Sequence, residues 1–483
     1  MNPSSSPAIQ RNRSAFFPTL VATAALAFGI SHSADAAEFI YSAVLNGTQE
    51  VPPNASPAIG GGQFTIDTDA NTVTYRIVYN GLLGAESAAH FHGMAAPGAN
   101  AGVLIALPAG NVKAGVWNYV EAQEANILAG LVYVNIHSAV FGGGEIRGQV
   151  VPLNAQLDGG QEVPPNGSGG AGWGVFTIDT VTNTLNYHIA FGGLAGAETA
   201  AHIHGIAMPG VNAGALFALP LGSPKIGAWV YPDAFEMAIL EGRTYVNIHS
   251  AVFGGGEIRA QIVPMVVPID NQQEVPPTGS PAAGLALVSY DGDNNLLGFD
   301  LRHQGLVAAE SAAHIHGFAP PGANAGVLLA LPLGARKQGV WAFGAANRAN
   351  VLAGRTYFNI HSAAFGGGEI RGQIQRFPNP IPTNVPDVVR TTSIQLAPAS
   401  PNPTTSQTRV QFALASEMQI RAAIYDASGR LVQSLADRSF AAGSHTVTWD
   451  GADATGRSVA SGVYYYVLDT PEGRLSRGVT VLR

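Results

Sequence analysis

His90 and His92 stand one residue apart, and the pair recurs as His202 and His204 and again as His314 and His316, at a constant step of 112 (202 − 90 and 314 − 202). A third histidine keeps the same step, as His137, His249 and His361. Solenoid repeats run to about 20–50 residues, so a period this long marks tandem domains, each large enough to bury its own core. A chain of 483 residues has room for about three or four such domains.

Each unit carries the marks of strands. Val73, Tyr75, Ile77 and Tyr79 alternate with Thr72, Thr74 and Arg76, the period of a half-buried strand. Asp69-Ala70-Asn71 lies between two such runs as a hairpin loop, and Asp291-Gly292-Asp293-Asn294 takes the same place in the third unit. Asn46 to Pro53 is expected to be a short edge strand stopped by two prolines that cannot join a ladder, and its Gln-Glu-Val-Pro-Pro recurs from Gln161 and from Gln273. Glu121 to Leu128 is the one short helix expected in the first unit, with Gly130 suited to the left-handed position after it. Asp233 is expected to cap its counterpart in the second unit. The units run over about 37–152, 153–264 and 265–376.

Beyond a proline-rich linker at 377–394, a different domain is expected from 395 to 483. Val410, Phe412 and Leu414 alternate there, as do Ile420, Ala422 and Ile424, and Val463, Tyr465 and Val467, which predicts a small β-sandwich. The fold class is all-β throughout. At the other end, Arg11 and Arg13 precede an apolar run from Ala15 to Ile30, followed by Ala34-Asp35-Ala36, the pattern of a signal peptide over 1–36. A membrane anchor is the alternative, but the run is short for a span and lacks a stop-transfer flank. No later segment approaches a transmembrane helix, so none is expected once the signal is removed.

Composition narrows the chemistry. The formal net charge is −8 with no basic patch, which argues against nucleic acid as a partner. There is no cysteine, which removes disulfides, thiolate metal sites and cysteine nucleophiles. Ser138, Ser250 and Ser362 adjoin their histidines, but neighbouring strand residues point to opposite faces, which disfavours a nucleophilic triad.

The candidate site residues are His90, His92 and His137, then His202, His204 and His249, then His314, His316 and His361. Histidines at i and i+2 on a strand share a face, and a third from another strand completes a three-nitrogen set. Without thiolate, imidazole points to copper or zinc. Glu86, Glu198 and Glu310, four residues before the first histidine, or Glu145, Glu257 and Glu369, after a glycine loop, are candidates for a fourth ligand or for fixing an imidazole tautomer. The same histidines can instead form a hydrogen-bonded network that locks strand register. His188 has Arg76 and Asp300 at its equivalent positions, whereas the three marked positions hold histidine in every copy. Glu369 and Arg371, one residue apart, are expected to form a local ion pair.

Gln-Glu-Val-Pro-Pro, Ala-Ala-His-Ile-His-Gly, Tyr-Val-Asn-Ile-His-Ser and Gly-Glu-Ile-Arg-Gly-Gln, in that order, resemble the CHRD (chordin) domain, in three tandem copies. The resemblance implies tandem immunoglobulin-like β-sandwich or barrel domains distantly similar to Cu/Zn superoxide dismutase, with no defined general activity. The dismutase likeness falls on His314-x-His316 and on the strand leading to His361. Yet the 45 residues between His316 and His361 (361 − 316) contain no histidine, so a bridged two-metal site cannot be built there. The last domain, through Ser400-Pro401-Asn402-Pro403, Trp449-Asp450-Gly451 and Gly462-Val463-Tyr464, resembles the C-terminal sorting domain of type IX secretion and the immunoglobulin-like domain of the flagellar hook-capping protein. That resemblance implies export through the type IX machinery. The leading expectation is a non-enzymatic, secreted or cell-surface adhesion protein with an extracellular protein or polysaccharide ligand. A copper or zinc protein with one site per repeat comes second, and a dismutase-like oxidoreductase third.

Overall fold

The computed structural model describes residues 38–375, 395–396, 399–414, 418–426, 430–440, 443–471 and 473–483. The expected signal peptide and linker lie outside these residues. Among the described residues no helix is long and apolar enough to cross a membrane.

In the first repeat the alternating runs become β1 (Glu38–Asn46), β2 (Ile59–Asp67), β3 (Thr72–Asn80), β4 (Glu86–His92), β5 (Val103–Ala106), β6 (Val112–Asn118), α1 (Glu121–Leu128), β7 (Tyr133–Ser138) and β8 (Ile146–Gln149). They form one eight-stranded sheet in the order β5-β4-β7-β8-β1-β2-β3-β6. The sheet curls into a barrel. Phe91 of β4 stacks on Trp117 of β6, with ring centroids 5.4 Å apart, although the two strands lie near opposite ends of the sheet order. Phe64, Tyr75, Ile77, Val134 and Ile136 fill the interior between them. The other two repeats form sheets of the same order.

The turns follow their local chemistry. Asp67 Oδ1 accepts from the backbone N–H groups of Asp69 and Ala70, and Asn71 takes a positive φ of 54°, which asparagine tolerates. Gly130, at φ 71°, sits just past α1 where a left-handed residue is needed. Two local expectations differ. Gln-Glu-Val-Pro-Pro is no strand: Gly47–Gln49 is a 3₁₀ turn, held by Asn46 Oδ1 accepting from the Gln49 N–H. Asp233 makes no capping bond and accepts instead from the Asn183 side chain.

The three repeats are packed against one another. Val44 of the first, Val263 of the second, and Val266, Leu285 and Leu287 of the third make one buried apolar cluster. Arg76 of the first forms a two-pronged ion pair with the buried Asp270 of the third, at 2.6 and 2.7 Å. Arg302 and Arg336 of the third reach Asp158 of the second, at 2.6 and 2.9 Å. Asn154 of the second donates to the Ser42 carbonyl of the first, and Trp173 donates to Thr48. Gly61 lets β2 approach the third repeat, because a Cβ there would lie 2.9 Å from that of Leu285.

The C-terminal domain pairs a three-stranded sheet with a four-stranded one (Met418–Asp426, Leu431–Phe440, Gly462–Thr470 and Gly473–Val481). Phe412, Ile424, Trp449 and Tyr466 are buried between the two, as expected of a small sandwich.

Candidate metal centre in each repeat

Inward-facing Ala89 and Phe91 on β4, and Val134 and Ile136 on β7, belong to the barrel core. The alternation of strand side chains therefore turns His90, His92, Tyr133, Asn135 and His137 to the outer face. The two strands pair antiparallel, with His90 opposite Asn135 and His92 opposite Tyr133. This brings the three imidazoles together. One ring nitrogen from each lies within 4.8 Å of the others, and the same holds for His202, His204 and His249 and for His314, His316 and His361. All nine histidines singled out by spacing thus fall into three triads.

Hydrogen bonds assign the nitrogens. His92 Nδ1 lies 3.0 Å from the Ala101 carbonyl, and His137 Nδ1 lies 3.0 Å from the Gly142 carbonyl. A carbonyl only accepts, so both Nδ1 atoms carry the proton and both Nε2 atoms keep a lone pair. His90 presents Nδ1, which lies 3.2 Å from His137 Nε2. His92 Nε2 is buried without any hydrogen-bond partner, and so are His204 Nε2 and His316 Nε2. An unsatisfied buried lone pair is costly, and the same unpartnered nitrogen recurs in all three copies. Burial, followed by the neighbouring imidazoles, holds His90 below the usual histidine range; burial does the same for His92. The neutral form that ligates metal is therefore favoured.

The carboxylates proposed as partners do not join the triads. Glu86 accepts from Lys113 Nζ and from the Tyr79 hydroxyl, both at 2.5 Å. A β-bulge between Glu86 and Ala88 breaks the alternation that would have kept Glu86 on the face of His90. Glu145 accepts from Ser56 Oγ at 2.6 Å and from the Leu83 N–H at 2.7 Å, tying two loops together. Backbone carbonyls, not carboxylates, fix the tautomers. Nor does Arg371 pair with Glu369: it bonds the Ala323 carbonyl, Asn324 and Gln373, while Glu369 accepts from Ser280.

Beside the triad lies a layer that the spacing of histidines does not reveal. The Tyr133 ring stacks on His92, with centroids 5.0 Å apart and an interplanar angle of 10°. The buried Arg147 guanidinium lies 3.5 Å from the centroid of that same ring, a cation–π contact. The Tyr133 hydroxyl accepts from the Ala101 N–H and donates to the Ala101 carbonyl, holding the group that orients His92. Glu50 is buried next to Asn135; burial pushes its carboxyl up to about 7, and Arg147 pulls it partly back. The signal for this layer was present in the sequence, since Glu50, Tyr133 and Arg147 recur as Glu162, Tyr245 and Arg259 and as Glu274, Tyr357 and Arg371. The set can hold a cation on three nitrogens, with the outward side left for water or another small ligand.

A family model for the CHRD domain matches residues 41–150, 153–262 and 265–374, and one for the FlgD Ig-like domain matches 400–472. Chordin of Xenopus laevis is 27% identical over 196 residues, which is 37% of this chain and 21% of that protein. The chain thus spans about a fifth of the length of the curated relative it matches. Two solved structures from Porphyromonas gingivalis align loosely. Dimeric latent PorU is 10% identical, covering 92% of this chain and 34% of that one, with a TM-score of 0.17. PorZ, described as an essential bacterial surface component of the type-IX secretion system, is 12% identical, covering 87% and 69%, with a TM-score of 0.15. At these scores neither likeness carries an argument.

Proposed function

The chain belongs to the CHRD domain family, and on that premise we propose that it is a secreted or cell-surface protein binding one copper or zinc ion in each repeat. The observation that carries this reading is the buried, unpartnered Nε2 of His92, repeated in His204 and His316 and aimed at two further imidazole nitrogens. Among the described residues nothing donates to those lone pairs. His90 through Nδ1, and His92 and His137 through Nε2, would hold the ion, and imidazole donors without thiolate suit copper(II) or zinc. A bound ion of either kind supplies Lewis acidity, and copper also supplies redox chemistry. The export-like N-terminus and the FlgD Ig-like match support an extracellular location reached through a sorting machinery of type IX character.

Adhesion to an extracellular protein or polysaccharide is the second reading. Its support is the match of three tandem CHRD domains and an FlgD Ig-like domain, which fits a multi-domain surface protein.

Elemental analysis of the full chain after loading with copper or zinc and removal of excess tests the proposal. About three ions per chain are expected, matching the three triads. Replacing His90, His92 and His137 together with alanine should lower the stoichiometry by one. A chain that stays metal-free after loading, with alanine variants that change only the melting temperature, would leave the histidines structural.

A further inference from the structure

Behind each imidazole triad runs a column of three side chains. In the first repeat the Arg147 guanidinium lies 3.5 Å from the Tyr133 ring centroid, and that ring lies 5.0 Å from the His92 ring. The column recurs as Arg259, Tyr245 and His204, at 3.6 and 5.0 Å, and as Arg371, Tyr357 and His316, at 3.5 and 5.1 Å. All three arginines are 1% exposed, so water screens their charge little. Their hydrogen bonds go to neutral oxygens. Arg147 donates to Asn100 Oδ1 and to Gln149 Oε1, both at 3.2 Å, and Arg371 donates to Gln373 Oε1 at 2.7 Å. In the second repeat Arg259 turns that nitrogen to the Val211 carbonyl, at 2.9 Å.

The foot of the column differs among the copies. Register places Asp158 opposite Arg259 and Asp270 opposite Arg371, whereas Asn46 stands opposite Arg147. Asp158 accepts from Arg302 and Arg336, and Asp270 from Arg76, so both carboxylates are spent across the seams between repeats. Two titratable groups share the layer with Arg147. Burial pushes the Glu50 carboxyl up to about 7, and below that pH it offsets little of the charge. His188 of the second repeat is held below the usual histidine range by burial and then by Arg147, so near neutral pH it adds no charge. The guanidinium itself stays protonated. On the copper or zinc reading of the triads, on which this inference rests, the ion would sit on three neutral imidazoles with a positive charge behind one of them. That charge repels a dication twice as strongly as a monocation. We propose that Arg147 is a charge element of the first metal site, biasing it toward copper(I) over zinc and copper(II). At a separation on the order of 10 Å and an effective dielectric constant of about 20, the bias amounts to roughly tenfold.

The full chain carrying His204→Ala and His316→Ala leaves the first site to be read alone. Its copper(I) affinity is measured anaerobically against bicinchoninate and its zinc affinity against a chromophoric chelator, both at about pH 6.5, where Glu50 is mostly protonated. Arg147→Gln should lower the preference for copper(I) over zinc by about tenfold, and Arg147→Lys, which keeps a charge, should hold it. Asn46→Asp supplies the aspartate of the other two repeats without altering the column. It should shift the preference in the same direction, and it decides the question if Arg147→Gln does not fold. A merely structural role weakens the binding of both ions together and leaves their ratio where it was. An unchanged ratio in these two variants would overturn this proposal while the metal reading stands. A site that takes up neither ion before Arg147 or Asn46 is changed would overturn both.

Discussion

His90 Nδ1 and His137 Nε2 face each other at 3.2 Å, and the separation is 3.3 Å and 3.1 Å in the second and third repeats. Because His137 spends its only proton on Gly142, His90 must donate in this contact, so an incoming cation requires His90 to move its proton to Nε2. That is a tautomer change within a neutral ring. At neutral pH, binding should therefore release little net acid. His90 and His92 are held below the usual histidine range, chiefly by burial, so protons on those two rings compete with metal only on the acid side of about pH 6.5. Metal titrations by calorimetry should give an affinity that is flat above that pH and falls below it. A steady decline that begins above pH 8 would contradict this ligand set.

The Tyr133 hydroxyl hydrogen-bonds no imidazole, yet it holds the Ala101 carbonyl that orients His92. Loss of such outer partners typically costs about 10–100-fold in metal affinity. Tyr133→Phe should weaken one of three sites by about tenfold and leave the other two unchanged, as read from a competition titration with a chromophoric chelator. Uniform weakening of all three would point to a global defect instead.

Glu50, Glu162 and Glu274 are each pushed up from 4.5 to about 7, in each case first by burial. A carboxyl with a raised folded value favours the fold below its unfolded pKa, and that contribution is lost as pH rises through the folded value. Glu50→Gln keeps the shape without the charge. Relative to the parent, the variant should gain stability on going from about pH 5 to about pH 8, by at most roughly 3 kcal/mol. Urea unfolding at both pH values measures the difference, and a difference that does not change with pH would refute the shift.

The shared cluster of Val44, Val263, Val266, Leu285 and Leu287, with the Arg76–Asp270 pair, couples the repeats. The three should melt in one calorimetric transition, separate from any belonging to the C-terminal domain. Arg76→Ala leaves the buried Asp270 short of a cation at a cost of about 2 kcal/mol, lowering that single transition. Three resolved transitions, with only one moved by the substitution, would show independent modules.

Much of this was legible along the chain. The alternation of Val73, Tyr75 and Ile77 foretold β3, Gly130 marked the end of α1, and identity across three copies picked out the nine histidines. Other features were not legible. The place of Glu86 depended on a bulge that spacing cannot show. The tautomers depended on carbonyls of Ala101 and Gly142, whose residue types carry no signal. Gln-Glu-Val-Pro-Pro looked like an edge strand because its prolines were visible and the burial of Glu50 was not.

The sequence by itself determined the threefold all-β architecture and which imidazoles share a strand face, because strand alternation and duplication are written in local order. Only the tertiary structure decided that two strands bring those rings to one point and that the repeats pack as one body. It also decided that the Arg–Gln bond opens in the second repeat alone. Those outcomes depend on register and on contacts between residues far apart in the chain, where side-chain packing rather than local pattern sets the lowest free energy.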